Sequence, residues 1–403
     1  MANNILHAVP RRRRVRHDER GFSLVMVGFS FMGLFAATML AIDVGMLMTA
    51  RTQAQTSADA GALAGATALV FNSWTDRSAT GPAMSGAINA ARANYVAGER
   101  TSVVPTDVTF PMNPDTGQAD LVEVTVYRTG ARQNAVSTLI ADIFGMSSAD
   151  IRATATATAA PADSATCVLP FTIPDKWIEK GCGMPNCTWT PEDTFNVYGD
   201  QGNRQNVGAP LANPDIYFPP GTAQATGYSP VTDRGVQLVL KANTQNRIAP
   251  GMYGAWALPG STGADDYREN IYGCNPNMIT VGDLLTPEPG NMTGPTSQGT
   301  NDLVGQDPNA YWDQGCNCVK GSAYAKSPRI RALPLYNPVR YSDGQHTGRS
   351  QPEFEVVNYL GFFVEEVNGG GEVIGRITPI TGRISGRTGP QVGAFARAIM
   401  LVK

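Results

Sequence analysis

The sequence predicts an α+β protein. An N-terminal transmembrane helix continues into an Ala-rich helix, then a small α+β module, then a mostly β, loop-rich, disulfide-containing outer domain. Three observations predict this. Residues 21–42 carry no charged side chain. Residues 153–159 alternate strictly between Ala and Thr. All six cysteines fall beyond residue 166, in a stretch rich in turn-forming residues. The expected organisation is a basic tip (1–20), the membrane helix (21–46), a helix with a small α+β module (47–160) and the outer domain (161–403).

Composition narrows the class. Hydrophobic residues make up 42% and charged residues 16% of the 403, which supports a sizeable core and not disorder. There are 43 Gly and 28 Pro, above the average share of ~12%, so many loops are expected. A net charge of −3 gives no reason to expect nucleic acid as a partner. The three histidines are His7, His17 and His346. A His-rich metal site is excluded, and a Ser–His–Asp or Cys–His centre would have to use His346. No cofactor and no metal are expected.

The uncharged run GFSLVMVGFSFMGLFAATMLAI has 22 residues. As a helix it spans about 33 Å, matching a hydrocarbon core of ~30 Å. Phe, Leu, Met and Val occur on all sides. Before it stand Arg11, Arg12, Arg13, Arg14, Arg16 and Arg20; after it only Arg51 lies nearby. The positive-inside rule keeps the N-terminus in the cytoplasm and puts the chain from about residue 50 outside. The arginines read as topogenic charge with affinity for anionic lipid. A cleaved secretory signal would have a shorter apolar region of ~7–15 residues, so retention as an anchor is expected. Asp43 follows the run directly. It is either a boundary residue or a specific contact to a partner helix.

Residues 47–70 contain no Pro and much Ala, so helix continues out of the membrane. Ala50, Ala54, Ala58, Ala62 and Ala66 are spaced by four, with Gly61 and Gly65 beside them. Small side chains at this spacing allow close helix approach. The row either packs on its own domain or forms a seam for partner helices.

Several pieces now combine: Arg20-Gly21-Phe22-Ser23, the apolar helix, Ala41-Ile42-Asp43-Val44-Gly45, and Gln55-Thr56-Ser57-Ala58-Asp59-Ala60-Gly61-Ala62-Leu63-Ala64-Gly65-Ala66. Over about residues 18–70 they resemble the Tad/Flp pilus-assembly family, most of all its TadG-like N-terminal segment. The resemblance implies a single-pass protein of the bacterial inner membrane with a periplasmic C-terminal domain. It also implies pilus-assembly proteins or pilin subunits as partners, beside the lipid bilayer. Two departures limit it. There is no D-x-S-x-S metal motif of a von Willebrand A domain; the nearest run, Asp76-Arg77-Ser78-Ala79-Thr80, follows no strand-like segment. That adhesion role is not carried over. The Gly21-Phe22 junction resembles a class III prepilin processing site, but the fifth following position is Met26 where those proteins have Glu, which argues against cleavage there.

Beyond the helix, residues 107–110 and 120–127 read as strands; in the second, Val122, Val124 and Val126 alternate with polar neighbours. Residues 135–144 read as a short amphipathic helix, with Leu139, Ile140, Ile143 and Phe144 on one side, ended by Gly145. The Ala/Thr alternation predicts a strand whose narrow Ala face packs on a helix. A boundary is expected at residues 161–166. Cys167, Cys182, Cys187, Cys274, Cys316 and Cys318 all lie on the predicted outer side, which argues for disulfides. The sequence does not choose a pairing. Cys182 and Cys187 could close a small loop, and Cys316 and Cys318 are expected to bridge to more distant cysteines.

Residues 185–325 read as turns and long loops. Asp265, Asp266, Asp302, Asp307 and Asp313 are expected to be acidic loop residues, at a spacing that fits no EF-hand. No hydrolase or phosphate-loop motif occurs. Asn368-Gly369-Gly370-Gly371 reads as a hairpin turn between two strands, and residues 394–403 as a strand that needs a sheet partner. Cys167-Val168-Leu169-Pro170-Phe171, Val281-Gly282-Asp283 and residues 288–296 look loosely like the outer region of TadG-related proteins without the von Willebrand domain. The expected function is a non-enzymatic, inner-membrane component of Tad/Flp pilus assembly. The alternative is a membrane-anchored envelope glycan-binding protein or hydrolase, with Trp256, Tyr311 and Trp312 as sugar contacts.

Overall fold

The computed structural model describes residues 20–181, 187–349, 351–389 and 391–402. Arg11, Arg12, Arg13, Arg14, Arg16 and Cys182 therefore lie outside the described residues.

A single helix, α1 (Arg20–Phe71), has 52 residues, about 78 Å of continuous helix. Its two halves meet different surroundings. Through the uncharged run the large apolar side chains are exposed, whereas Ala50, Ala54, Ala58, Ala62 and Ala66 are buried. The buried half packs on α2 (Pro82–Arg92) and on a sheet. Pro82 sits at the first position of α2, where its missing N–H costs nothing. The buried Ala83, Ala87 and Ala91 face α1 in their turn.

The sheet begins with β1 (Val108–Thr109), β2 (Leu121–Arg128) and β3 (Ile151–Pro161). β2 and β3 pair antiparallel over eight residues, Val122 opposite Ala157 and Val126 opposite Ala153. One face of this pair presents Val122, Val124 and Val126 with Ala153, Ala155, Ala157 and Ala159, all buried in one cluster with the Ala row of α1. The period-two pattern has thus put the short side chains where a helix must approach closely. The expected first strand is shorter than read: one 3₁₀ turn, Pro105–Asp107, precedes Val108–Thr109.

The expected amphipathic helix at 135–144 is not formed. Val136–Ser137 pairs with Ser148–Ala149 as a small hairpin, and only one 3₁₀ turn, Ala141–Phe144, lies between. Hairpin pairing removes the first turn that a longer helix would need. Gly145 does end the turn, at a φ of 82° that favours glycine.

The outer region is built on β4 (Phe171–Pro174), β5 (Gln237–Ala242), β6 (Met252–Ala255), β7 (Leu284–Leu285), β8 (Ile330–Tyr336), β9 (Phe354–Val367) and β10 (Val373–Thr378). The order is β7–β9–β8–β4–β6–β5–β10, and β10 pairs again with β9. Six strands thus close into a barrel-like sheet, with β7 attached to the start of β9. Closure rests on the length of β9, 14 residues. Its middle pairs with β8, and its end, from Gly361 to Val367, pairs with β10. Alternate residues of each closing strand, such as Phe171 and Ile173, Leu238 and Leu240, Leu333 and Leu335, join one buried cluster. Gly375 lets β10 approach: a Cβ there would lie 2.5 Å from Phe362 Cζ. The turn between β9 and β10 is the Asn368–Gly371 run, as its composition predicted.

Two helices occupy the region read as loops, α3 (Ala264–Tyr272) and α4 (Thr293–Gly305). Asp265 and Asp266 are in the first turn of α3 and Asp302 is on α4, not in loops. Asp313 ends the strand Tyr311–Asp313, which pairs with Cys318–Lys320. Cys316 and Cys318 bridge each other rather than distant partners, because the hairpin brings their Cα atoms to 5.2 Å, within usual disulfide reach. Cys167 bridges Cys274, a separation of 107 residues. Cys187 is also disulfide-bonded.

Trp256 and Trp312 are buried, and only Tyr311 of the three proposed sugar contacts is exposed. His346 ends α5 (Pro338–His346) and stacks on Tyr198 at 3.9 Å between ring centroids. Asp175, directly after β4, is fully buried. It accepts hydrogen bonds from the backbone N–H of Lys176 (2.9 Å) and Tyr228 (3.1 Å) and from the Tyr217 hydroxyl (3.1 Å). It ties the loop from 215 to 228 onto the barrel.

The last strand, β11 (Arg397–Leu401), returns to the first sheet, which runs β11–β3–β2–β1, all antiparallel. The partner that the apolar final segment required is β3, with Ala398 opposite Ala160 and Met400 opposite Thr158. Arg397 on this strand is buried with its guanidinium 4.0 Å from the Trp74 ring. Burial pushes its pKa down to about 10, against the opposing pull of Asp120.

Candidate functional site

The candidate site is α1 itself: the segment that leaves the body, and the contacts that hold the other half in place. Phe22, Leu24, Phe29 and Met32 are 67%, 77%, 69% and 70% exposed. Leaving such side chains in water forgoes about 1.5–3 kcal/mol each relative to burial. The exposed apolar positions are not confined to one stripe, so a single groove would not cover them; a lipid environment would. The polar side chains of this stretch suit lipid as well. Ser30 Oγ donates to the Met26 carbonyl and Thr38 Oγ1 to the Leu34 carbonyl, both at 2.9 Å. Each hydroxyl is satisfied inside the helix, as a hydrocarbon environment demands. This is the one described helix long and apolar enough to cross a membrane.

At the end of the run stands Asp43, 4% exposed. Its carboxylate accepts three consecutive backbone N–H groups: Leu139 at 2.9 Å, Ile140 at 3.0 Å and Ala141 at 2.6 Å. These N–H groups open the 3₁₀ turn at Ala141–Phe144, so the carboxylate caps it. Asp43 was expected at a boundary or against a partner helix. It stands at the end of the run, and its contact is the chain's own hairpin loop rather than a partner helix. The loop held there displays Leu139 and Met146, 64% and 62% exposed, apolar tips beside the exit of the helix. Next to them a cleft of about 500 Å³ is lined by Val44, Leu47, Met48, Arg51, Asp150, Ile151 and Arg152, among others.

Further along, the small residues have one use. Ala50, Ala54, Ala58, Ala62 and Ala66 are 0–1% exposed. Gly61 and Gly65 bring the backbones together. A Cβ on Gly65 would lie 2.7 Å from Val122 Cγ1 and 3.1 Å from Ala87 Cβ; one on Gly61 would lie 3.1 Å from Ala91 Cβ. Ser57 Oγ donates to the Ala91 carbonyl at 2.9 Å, and Gln55 Nε2 bonds Asp59 Oδ1 at 2.8 Å. Of the two readings left open for the row, packing on its own domain is the one seen: α2 and the sheet of the same chain cover it, and the seam for a partner helix is not found there. Gly21 and Phe22 lie inside the first turns of α1, and Phe22 is exposed.

The comparisons with known proteins bear on this stretch. Residues 21–68 match the family model Tad, described as "Putative Flp pilus-assembly TadE/G-like". Over these residues the chain is similar to the Tad family. The match covers the apolar run, Asp43 and the small-residue row, and the helix that carries them is long and apolar enough to cross a membrane. No curated protein and no solved structure matches the chain.

Sequence reasoning singled out the Tad segment but missed what it holds. The Asp43 partners are backbone N–H groups 96 to 98 residues away, and no side-chain pattern marks them. It also missed Arg397 on Trp74, which joins the loop after α1 to the last strand. Among the described residues no group of three or more His, Cys, Asp or Glu is placed to hold a metal ion.

Proposed function

We propose that this chain is a non-enzymatic, single-pass inner-membrane component of Tad/Flp pilus assembly, TadG-like in type. Its N-terminus is cytoplasmic and its body periplasmic. The observation that supports this most is the division of the Tad segment. One half is apolar and uncovered; the other is locked by Asp43 and the Ala/Gly row into a folded body. A rigid helix of this kind carries position from the bilayer to the outer domains. The arginines before the span favour this orientation, and the disulfides suit an oxidising compartment. The partners are pilus-assembly proteins or pilin subunits, met in the plane of the membrane and by the outer body.

Photo-crosslinking in the native host tests this reading. A photo-reactive residue is placed in turn at the exposed Phe22, Phe29 and Leu139. Adducts with pilin or a pilus-assembly protein at any of these positions support it. Adducts with lipid alone, together with unaltered piliation when the chain is deleted, contradict it.

A further inference from the structure

We propose that a cavity in the outer body binds a small soluble anion of the phosphate class. The cavity measures about 350 Å³. It lies between the Cys167 disulfide, the start of β8 and the segment that follows β10. Its polar lining is Thr166, Lys326, Ser327, Arg331, Thr381 and Arg383; among the described residues no carboxylate lines it.

Three cations line this cavity and need an explanation, because among the described residues none of them forms an ion pair. Lys326 and Arg383 are exposed, and solvent alone would account for them. Arg331 is different. It is 7% exposed, and its Nη2 donates to the Tyr272 carbonyl at 2.7 Å. Its Nε–H is buried and meets no acceptor among the described residues. Its charge has no counter-ion among the described residues, and an anion seated against the part of the side chain that lines the cavity would supply one. Lys326 supports the same picture. Although the side chain reaches solvent, the protein packed around its ammonium and the nearby Arg331 charge both push it below the ordinary lysine range. An anion seated between them reverses that repulsion.

The chemistry selects phosphate over a single carboxylate. A phosphate monoester carries close to two negative charges and three strong acceptor oxygens, which suits a guanidinium, an ammonium and a second guanidinium together. Thr166 and Thr381 add hydroxyls at the wall. The volume is at the small end of ligand sites, ~300–1,000 Å³, so it suits inorganic phosphate or the monoester of a small alcohol. No lining residue belongs to α1, which favours a soluble anion over a lipid headgroup. This inference does not depend on the pilus-assembly reading.

Titration calorimetry on the full chain in neutral nanodiscs tests it, with inorganic phosphate and glycerol phosphate at constant ionic strength set by chloride. The expected result is saturable one-to-one binding of at least one of them. Lys326→Gln and Arg383→Gln alter exposed side chains outside the core, and each should weaken that binding by about tenfold. Bound phosphate should also slow acylation of Lys326 by an amine reagent, read by mass spectrometry. Three results overturn the proposal: no saturable binding above the chloride control, binding in both variants equal to that of the parent, or no protection of Lys326. Binding seen only when phosphatidylglycerol is put into the nanodiscs overturns the assignment to a soluble anion.

Discussion

At the residue scale, a few positions of the Tad segment decide how the body is held to the helix. Asp43 takes three backbone N–H groups with one carboxylate. Asp43→Ala leaves them unmet, and Asp43→Asn keeps a single neutral acceptor. Hydrogen exchange at residues 139–141 should speed up by about tenfold or more in the Ala variant, and less in Asn. Unchanged exchange would mean the bracket does not hold the loop. Gly65 is a close point of the helix–sheet contact, with Val122 Cγ1 2.7 Å from where a Cβ would stand. Gly65→Ala should cost about 1–3 kcal/mol in chemical denaturation, since a close-packed contact yields only by shifting backbone. A Ser57→Ala control removes a hydrogen bond but adds no bulk, and should cost less, about 1 kcal/mol. Much of this was legible in the sequence as special: a carboxylate straight after an apolar run, and small residues every fourth position. What they touch was not. Backbone N–H groups have no sequence signature, and a row of alanines reads the same whether its own sheet or another molecule covers it.

At the element scale, periodicity told the truth where neighbours imposed it. The Ala/Thr strand became β3 with its Ala face on α1, and Gly369, Gly370 and Gly371 became the turn between β9 and β10. The middle of the chain misled because composition outvoted spacing. α4 contains three glycines and a proline, residues that favour loops. It is helical because Thr296, Gly299, Thr300 and Leu303 form one buried face against α3. A Cβ at Gly299 would lie 2.8 Å from the Arg268 carbonyl oxygen, so the glycine that weakens the helix also lets it dock. Barrel closure was not readable either, since it depends on the distant pairing of β10 with β9. The buried Asp175 after β4 gives this region a pH signature. Burial pushes its carboxyl up to about 6, even though three hydrogen bonds favour the charged form. The folded protein therefore holds this proton to higher pH than the unfolded chain does. The native state binds more protons between about pH 4 and pH 6, so this group's contribution to stability falls as pH rises through that window. Asp175→Asn removes the titration. Relative to the parent, its unfolding free energy should gain as pH is raised from about 4 to 7, by on the order of 2–3 kcal/mol. Parallel profiles for the two proteins would contradict the assignment.

At the scale of the whole molecule, the chain is a body threaded onto one helix. The first and last parts of the described chain meet on the same sheet, with β11 beside β3 and Arg397 against Trp74. The outer barrel is therefore bounded on both sides by segments that join the helix-bearing sheet. A displacement of α1 would be passed to that sheet directly, because the Ala row leaves no slack between them. The membrane helix was the plainest feature of the sequence, since length and the absence of charge are local properties. The body it carries was legible only in pieces. The central claim, a role in pilus assembly, is tested most directly by pilin sheared from the cell surface of a deletion strain, its parent and a complemented strain. The account predicts surface pilin lost from the deletion strain, normal pilin inside the cell, and recovery on complementation. Surface pilin equal in all three strains would contradict it.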